Sequence, residues 1–162
     1  MPISVGDQIP DTALYEMTEQ GPAAVQARDV FAGRTVALFA VPGAFTPTCT
    51  ASHLPAYVAA ADALKRKGVD AIVCMAVNDP FVLQAWGESV GGATPVRILS
   101  DGNASFTKAL GLALDGSGFG LGTRAQRFSM LVRDGVVRAL HLEPDPSVVK
   151  VSGPETLLEE DL

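Results

Sequence analysis

The sequence predicts an α/β fold: a mixed central sheet flanked by helices. Three observations carry that expectation. Two continuous apolar runs, "TVALFAV" at 35–41 and "VDAIVCMAV" at 69–77, bracket a stretch with helical spacing. Two further strand-like runs are joined by Asp134-Gly135, a strong short hairpin signal. The chain then closes on a helix-forming segment, "GPETLLEEDL".

The first run, residues 35–41, ends at Pro42-Gly43 and has no polar alternation, as expected of a strand buried on both faces in a parallel sheet. From Leu54 the apolar positions Leu54, Tyr57, Val58, Ala61 and Leu64 fall at helical intervals. Lys65-Arg66-Lys67-Gly68 closes that helix, with cations at the negative end of its dipole and glycine at the cap. The second run then completes a strand–helix–strand unit with a right-handed crossover. Asp79-Pro80 opens a short helix containing Phe81, Leu83 and Trp86. A third strand is expected at 96–101 and a short helix at 104–111. In "RFSMLVRDGVVRALHLE" the two strands of the hairpin follow. Parallel units, then an antiparallel hairpin and a closing helix, make the order of a thioredoxin-like fold. No internal repeat or low-complexity linker interrupts it, so residues 1–162 are expected to form a single domain.

Composition narrows the function. The chain has 162 residues, 48% of them hydrophobic and 19% charged, as in a globular protein with a substantial core. A formal charge of −6 argues against nucleic acid or an anionic membrane as the main partner. The apolar runs are shorter than the roughly 20 residues of a membrane-spanning helix. The start, "MPISVGDQIP", has neither the basic region nor the apolar stretch of a secretion signal. Two cysteines are no disulfide framework, and a reducing cytoplasm is the expected location.

One of those cysteines, Cys49, stands in "TPTC", where Thr46 suits a helix N-cap and Pro47 the first helical position. A thiol in a first turn meets the positive end of the dipole and outward-facing amides, which favour thiolate. The placement also lies just beyond the carboxyl end of a strand, where sites of open α/β sheets gather. On composition alone Cys49 reads as a small apolar filler, and only the helix-entrance context sets the nucleophile reading level with it.

Pro42-x-x-x-Thr46-x-x-Cys49 resembles the peroxiredoxin signature, and the longer "VPGAFTPTC" and "SHLPAYV" look like the type II, peroxiredoxin-five-like branch. "VNDPFVLQAW", "RFSMLVRDG" and "LEPD" resemble that branch in the same order, so the likeness runs from residue 3 to about 145. The resemblance implies a thiol peroxidase with no cofactor. Cys49 would attack a hydroperoxide and become a sulfenic acid. Thr46 would hydrogen-bond the sulfur or a peroxide oxygen, although its spacing suits capping the Cys49 amide as well. Pro42 would shield the pocket, although a strand-end proline is also plain punctuation. The family places a distant arginine beside the thiolate. "TRAQRFSM" offers Arg124 and Arg127, and the likeness of "RFSM" picks Arg127; apart from the family, either reads as a solvated charge at a strand start.

Cys74 corresponds to the second cysteine of plant and bacterial type II members, a possible resolving thiol. A disulfide needs Cα atoms within roughly 7 Å, which a helix start and the interior of the next strand do not readily offer, so Cys74 reads mainly as a core residue. Some relatives carry another cysteine in the segment corresponding to "SVVKVSGPE", and this chain has none there. That departure favours an external thiol, glutathione with glutaredoxin first and thioredoxin second. Type II relatives commonly pair as homodimers through loops near the active site, and the same is expected here.

His53 lies four residues after Cys49 and so can share a helix face with it. As a metal pair the two lack company, since the other histidine is His141. As a Cys–His nucleophilic pair they would make an acyl-transfer or hydrolase enzyme, the alternative function; a non-catalytic thioredoxin-like binding module is a third. Type II relatives carry histidine at this position, so His53 is read as a supporting residue. The glycine-rich "DGSGFGLG" lacks phosphate-loop spacing and context, and is expected to be a mobile loop.

Overall fold

The computed structural model describes residues 2–48, 52–92 and 95–161. Among them, β3 (Thr35–Val41), β4 (Ala71–Ala76) and β5 (Arg97–Ser100) are the three parallel strands of the predicted core. β8 (Phe128–Arg133) adds antiparallel to β3, and β9 (Val136–Leu142) pairs back on β8. The hairpin turn is the predicted one: Asp134 and Gly135 have φ of 48° and 78°, the pair of positive angles that matches strand twist in a two-residue turn. With β1 (Ala13–Thr18) and β2 (Gly21–Gln26), the seven-stranded sheet runs β2-β1-β5-β4-β3-β8-β9. This is the thioredoxin-like mixed sheet flanked by helices.

The absence of alternation in β3 and β4 now has its cause. Ala37, Phe39 and Val41 pack on one face with Ile72, Cys74 and Ala76, while Val36, Leu38 and Ala40 pack on the other with Val73 and Met75. The first face is covered by α2 (Leu54–Ala59), α3 (Ala61–Lys67), α4 (Pro80–Ser89) and α6 (Pro154–Leu158), through Leu54, Tyr57, Leu64, Leu83, Trp86 and Leu157. The second is covered by α1 (Ala27–Phe31) and α5 (Ser105–Leu110), through Val30, Phe31, Phe106 and Leu110. Two buried faces leave no room for a polar stripe.

Three features differ from the sequence reading. The β1–β2 hairpin and α1 carry no clear sequence signal and were not anticipated. The stretch from Leu54 to Lys67 is two helices, broken at Ala60, with Gly68 capping the second at φ 113° as expected. The closing helix is confined to Pro154–Leu158, shorter than the segment 153–162. The glycine-rich segment 115–122 is the expected loop. It begins at the end of β6 (Ala113–Asp115), passes through a 3-10 turn at Ser117–Phe119 and leads to β7 (Thr123–Ala125), which pairs antiparallel with β6.

Candidate active site

The parallel strands β3, β4 and β5 end on one side of the sheet, and the loop after β3 carries Pro42 and Thr46. Pro42 and Gly43 are buried at the strand end. The loop is fixed from two sides. Asn78, just after β4, accepts the amide of Ala44 through Oδ1 at 2.9 Å. Arg124 on β7 donates from Nη1 to the Pro42 carbonyl at 3.3 Å and from Nε to the Leu121 carbonyl at 2.9 Å. Its guanidinium lies so close over Gly43 that a Cβ there would sit 2.5 Å from Nη1. Phe45 takes φ of 64°, a left-handed conformation costly for a bulky side chain, and its ring is 54% exposed.

Thr46 precedes Pro47 and Thr48, which have helical backbone, so the helix entrance lies where the Thr-Pro pair suggests. Its hydroxyl donates to the Gly43 carbonyl at 2.7 Å. With that hydrogen committed, Oγ1 serves other groups as an acceptor, which narrows the range of roles expected for Thr46. Cys49 lies outside the described residues.

Arg127 is not a solvated charge at a strand start. It is 1% exposed, among the largest fully buried side chains of the molecule. Nε donates to the Pro146 carbonyl at 2.8 Å, and Nη1 to His53 Nδ1 at 2.7 Å. The next carbonyl along, Ser147, accepts the hydroxyl of Thr48 at 2.7 Å. The buried guanidinium and the residue preceding Cys49 therefore hang on successive carbonyls of one loop. Arg124, the second choice, is held at the rim over Pro42 and Gly43.

His53 is fully buried, stacked obliquely on Phe39 and beside Tyr57. Its tautomer follows from its partners. The Ser152 carbonyl at 3.0 Å accepts only, so Nε2 carries the hydrogen; guanidinium donates only, so Nδ1 is the bare nitrogen. Burial, first, and then Arg127 push its pKa down to about 4, against the raising effects of the Ser152 bond and Glu143. Both nitrogens are occupied and the ring is neutral near pH 7, so it has no site left to take a proton from a thiol. This removes the Cys–His acyl-transfer or hydrolase alternative. Tyr57 donates to the same Ser152 carbonyl at 2.8 Å, and burial raises its pKa, keeping the phenol protonated.

Cys74, in the middle of β4 between Phe39 and Ile98, is fully buried in the core face beneath α2 and α4. A residue missed by the sequence reading is Glu143, at the end of β9. It is 3% exposed, and its Oε2 accepts the amides of Lys150, Val151 and Ser152 at 2.8 Å each and the Ser152 hydroxyl at 2.6 Å. A lone glutamate after a strand gives no sign of that in the sequence.

The Redoxin family model matches residues 4–158. The chain is 46% identical over 160 residues to the chloroplastic peroxiredoxin-2E-2 of Oryza sativa subsp. japonica, covering 96% of this chain and 71% of that protein. It is 43% identical over 159 residues to peroxiredoxin-2C of the same plant, covering 98% of each. Among solved structures it resembles reduced Prx3 of Vibrio vulnificus in complex with H2O2, with a TM-score of 0.91 and 49% identity over 96% of this chain and 97% of that one. It also resembles peroxiredoxin 5 of Alvinella pompejana, with a TM-score of 0.85 and 39% identity over 97% and 96% of the two chains.

Proposed function

The chain belongs to the Redoxin family and is a peroxiredoxin, a thiol peroxidase, and from that premise we propose that it is of the type II, peroxiredoxin-five-like kind, with Cys49 as the peroxidatic nucleophile. The Cys49 thiolate attacks one oxygen of a hydroperoxide. The S–O bond forms as the O–O bond breaks, and the electron pair leaves on the second oxygen, which takes a proton and departs as water or an alcohol. Cys49 is left as sulfenic acid.

The observation that carries this reading is the tether of Arg127 and Thr48 to the adjacent carbonyls of Pro146 and Ser147. It holds a permanent cation, shielded from water, on the same loop as Thr48, the residue that precedes Cys49 in the sequence. A fixed positive charge in a water-excluded site favours thiolate over thiol and stabilises the charge that builds on the leaving oxygen. Thr46 Oγ1, with its own hydrogen on Gly43, accepts the O–H of the peroxide and orients it. Pro42 walls the pocket at the end of β3, and His53 supports Arg127.

Hydrogen peroxide is the first substrate we propose, supported by the Vibrio vulnificus relative described in complex with it; small organic hydroperoxides share the same reacting bond. The reductant is an external thiol, glutathione with glutaredoxin ahead of thioredoxin. The support is that the second of the chain's 2 cysteines, Cys74, is buried in a central strand and not at an exposed resolving position. Glutathione condenses with the sulfenic acid to a mixed disulfide and water, and a second thiol releases Cys49.

One equivalent of hydrogen peroxide added to reduced protein tests the assignment. Site-resolved mass spectrometry is expected to find one added oxygen at Cys49, trapped by dimedone, and none in Cys49→Ser. Rapid oxidation that persists in Cys49→Ser would overturn it.

A further inference from the structure

The segment 143–152, "EPDPSVVKVS", is a loop between β9 and α6 that is closed on itself by one carboxylate. Glu143 at its start reaches across to its end, where Oε2 takes three successive amides and the Ser152 hydroxyl. Asp145 holds the near half in a tight turn, accepting the amide and hydroxyl of Ser147 at 2.9 and 2.7 Å. Inside this closed loop, three carbonyls point at the site. Pro146 takes Arg127 Nε, Ser147 takes Thr48, and Ser152 takes both His53 Nε2 and Tyr57. The backbone of Glu143 itself is bonded to Arg127, its amide donating to the Arg127 carbonyl at 2.9 Å.

We infer that Glu143 is a positioning residue for the thiol chemistry, clasping the 143–152 loop so that its carbonyls fix Arg127 and His53 in register with Thr48, the residue before Cys49. The inference rests on the role given to Arg127 above. The clasp is of a strong kind, since four donors on one ionised oxygen form charge-assisted bonds. Oε1 is buried and accepts no hydrogen bond from the described residues, so the whole interaction is concentrated on a single atom. Ser152 is where the clasp meets the site. Its amide and hydroxyl are held by Glu143, while its carbonyl fixes the histidine that in turn accepts from Arg127. Loosening the clasp frees the guanidinium to rotate while leaving the side chains of Cys49, Thr46 and Pro42 chemically unchanged.

Glu143→Gln keeps the shape and weakens the acceptor. Arg127→Lys and the double variant complete the cycle. Three quantities are read in each protein: the rate constant for oxidation of Cys49 by hydrogen peroxide, the pH midpoint of Cys49 alkylation by iodoacetamide followed by mass spectrometry, and the melting temperature. Glu143→Gln is expected to slow oxidation roughly tenfold, equivalent to about 1.4 kcal/mol, and to move the alkylation midpoint upward. The double variant is expected to be no slower than Arg127→Lys. A lower melting temperature with unchanged rate and midpoint would show a purely structural clasp and overturn the inference, as would independent, multiplicative effects in the double variant. Arg127→Lys reacting at the wild-type rate would remove the arginine assignment itself, and the positioning role with it; a slow Arg127→Lys beside a normal Glu143→Gln removes the positioning role alone. Ser152→Ala deletes one of the four bonds and keeps the backbone. If Glu143→Gln does not fold, a smaller slowing of the same kind in Ser152→Ala supports the inference, and wild-type behaviour there defeats it.

Discussion

His53 shows how one buried side chain is made to hold a single protonation state. A guanidinium on Nδ1 and a carbonyl on Nε2 leave no acceptable place for a second proton, and burial adds the desolvation cost of a charge. The consequence for stability has a definite sign. An unfolded histidine takes its proton near 6.5, whereas the folded one waits until about 4. Between those values the unfolded chain holds more protons, so stability is fully present above pH 6.5 and falls as the pH is lowered through the window. The loss approaches about 3 kcal/mol by pH 4. Urea denaturation at intervals from pH 7 to 4 is expected to show this slope in the wild type. In His53→Gln, which has no titrating ring, the slope over the same interval should be smaller, whatever the absolute stability of the variant. Equal slopes in the two proteins would mean the histidine does not hold its neutral form in the fold. Glu143 is shifted downward as well. Burial alone would raise its pKa, but the hydrogen bonds from Ser152, Val151 and Lys150 hold it below the ordinary carboxylate range, so its own contribution is lost as the pH falls through that lowered pKa.

At the scale of elements, the β8–β9 hairpin is the clearest case of a turn dictated by residue type. Asp134 and Gly135 both have positive φ, and the Asp134 carboxylate accepts the Gly33 amide at 2.6 Å, joining the turn to the start of β3. Gly135→Ala places a Cβ in a conformation that L-residues avoid and is expected to destabilise the protein by about 1 kcal/mol, read as a lower urea midpoint at constant slope. No atom lies within 4 Å of the added Cβ, so a larger loss would point to a cause other than backbone strain. This hairpin was legible because its chemistry is local. So were β3 and β4, where continuous apolar sequence reflects two covered faces, and the Asp79-Pro80 start of α4, where Asp79 caps the Val82 amide at 2.9 Å. The β1–β2 hairpin was not, since its turn, Thr18-Glu19-Gln20-Gly21, lacks an Asn-Gly or Asp-Gly pair and Pro22 argues against a strand. Pro22 is tolerated because β2 is an edge. The short strands β6 and β7 that flank the glycine-rich loop were not legible either, since three residues are too few to show a period. Pro42, Thr46 and Cys49 were legible as a spaced motif. The burial of Arg127 and the clasp of Glu143 were not, because a side chain that binds backbone carbonyls or amides far along the chain leaves no periodic trace.

For the whole molecule, three exposed aromatic rings stand on segments tied to the loop after β3 or following β4. Phe45 in the loop after β3, Phe81 at the start of α4 and Phe119 in the β6–β7 ribbon are 54%, 63% and 89% exposed. Their supports are tied together: Arg124 joins the ribbon to Pro42, and Asn78, just before α4, joins the loop after β4 to Ala44. Exposed apolar rings of this kind suit an interaction face, and a homodimer through these segments would cover them while leaving the outer edges β2 and β9 free. We propose that pairing, with Phe119→Lys and Phe81→Lys as its test. A charge buried at a symmetric interface meets its own copy across the axis or a dehydrated apolar surface, and either is costly. Sedimentation at micromolar concentration is expected to show a dimer for the wild type and a monomer for the double variant. Both positions are surface positions in the single chain, so the far-ultraviolet spectrum should be unchanged. A wild type that sediments as a monomer would remove the pairing, and a double variant that stays dimeric would place it on another face.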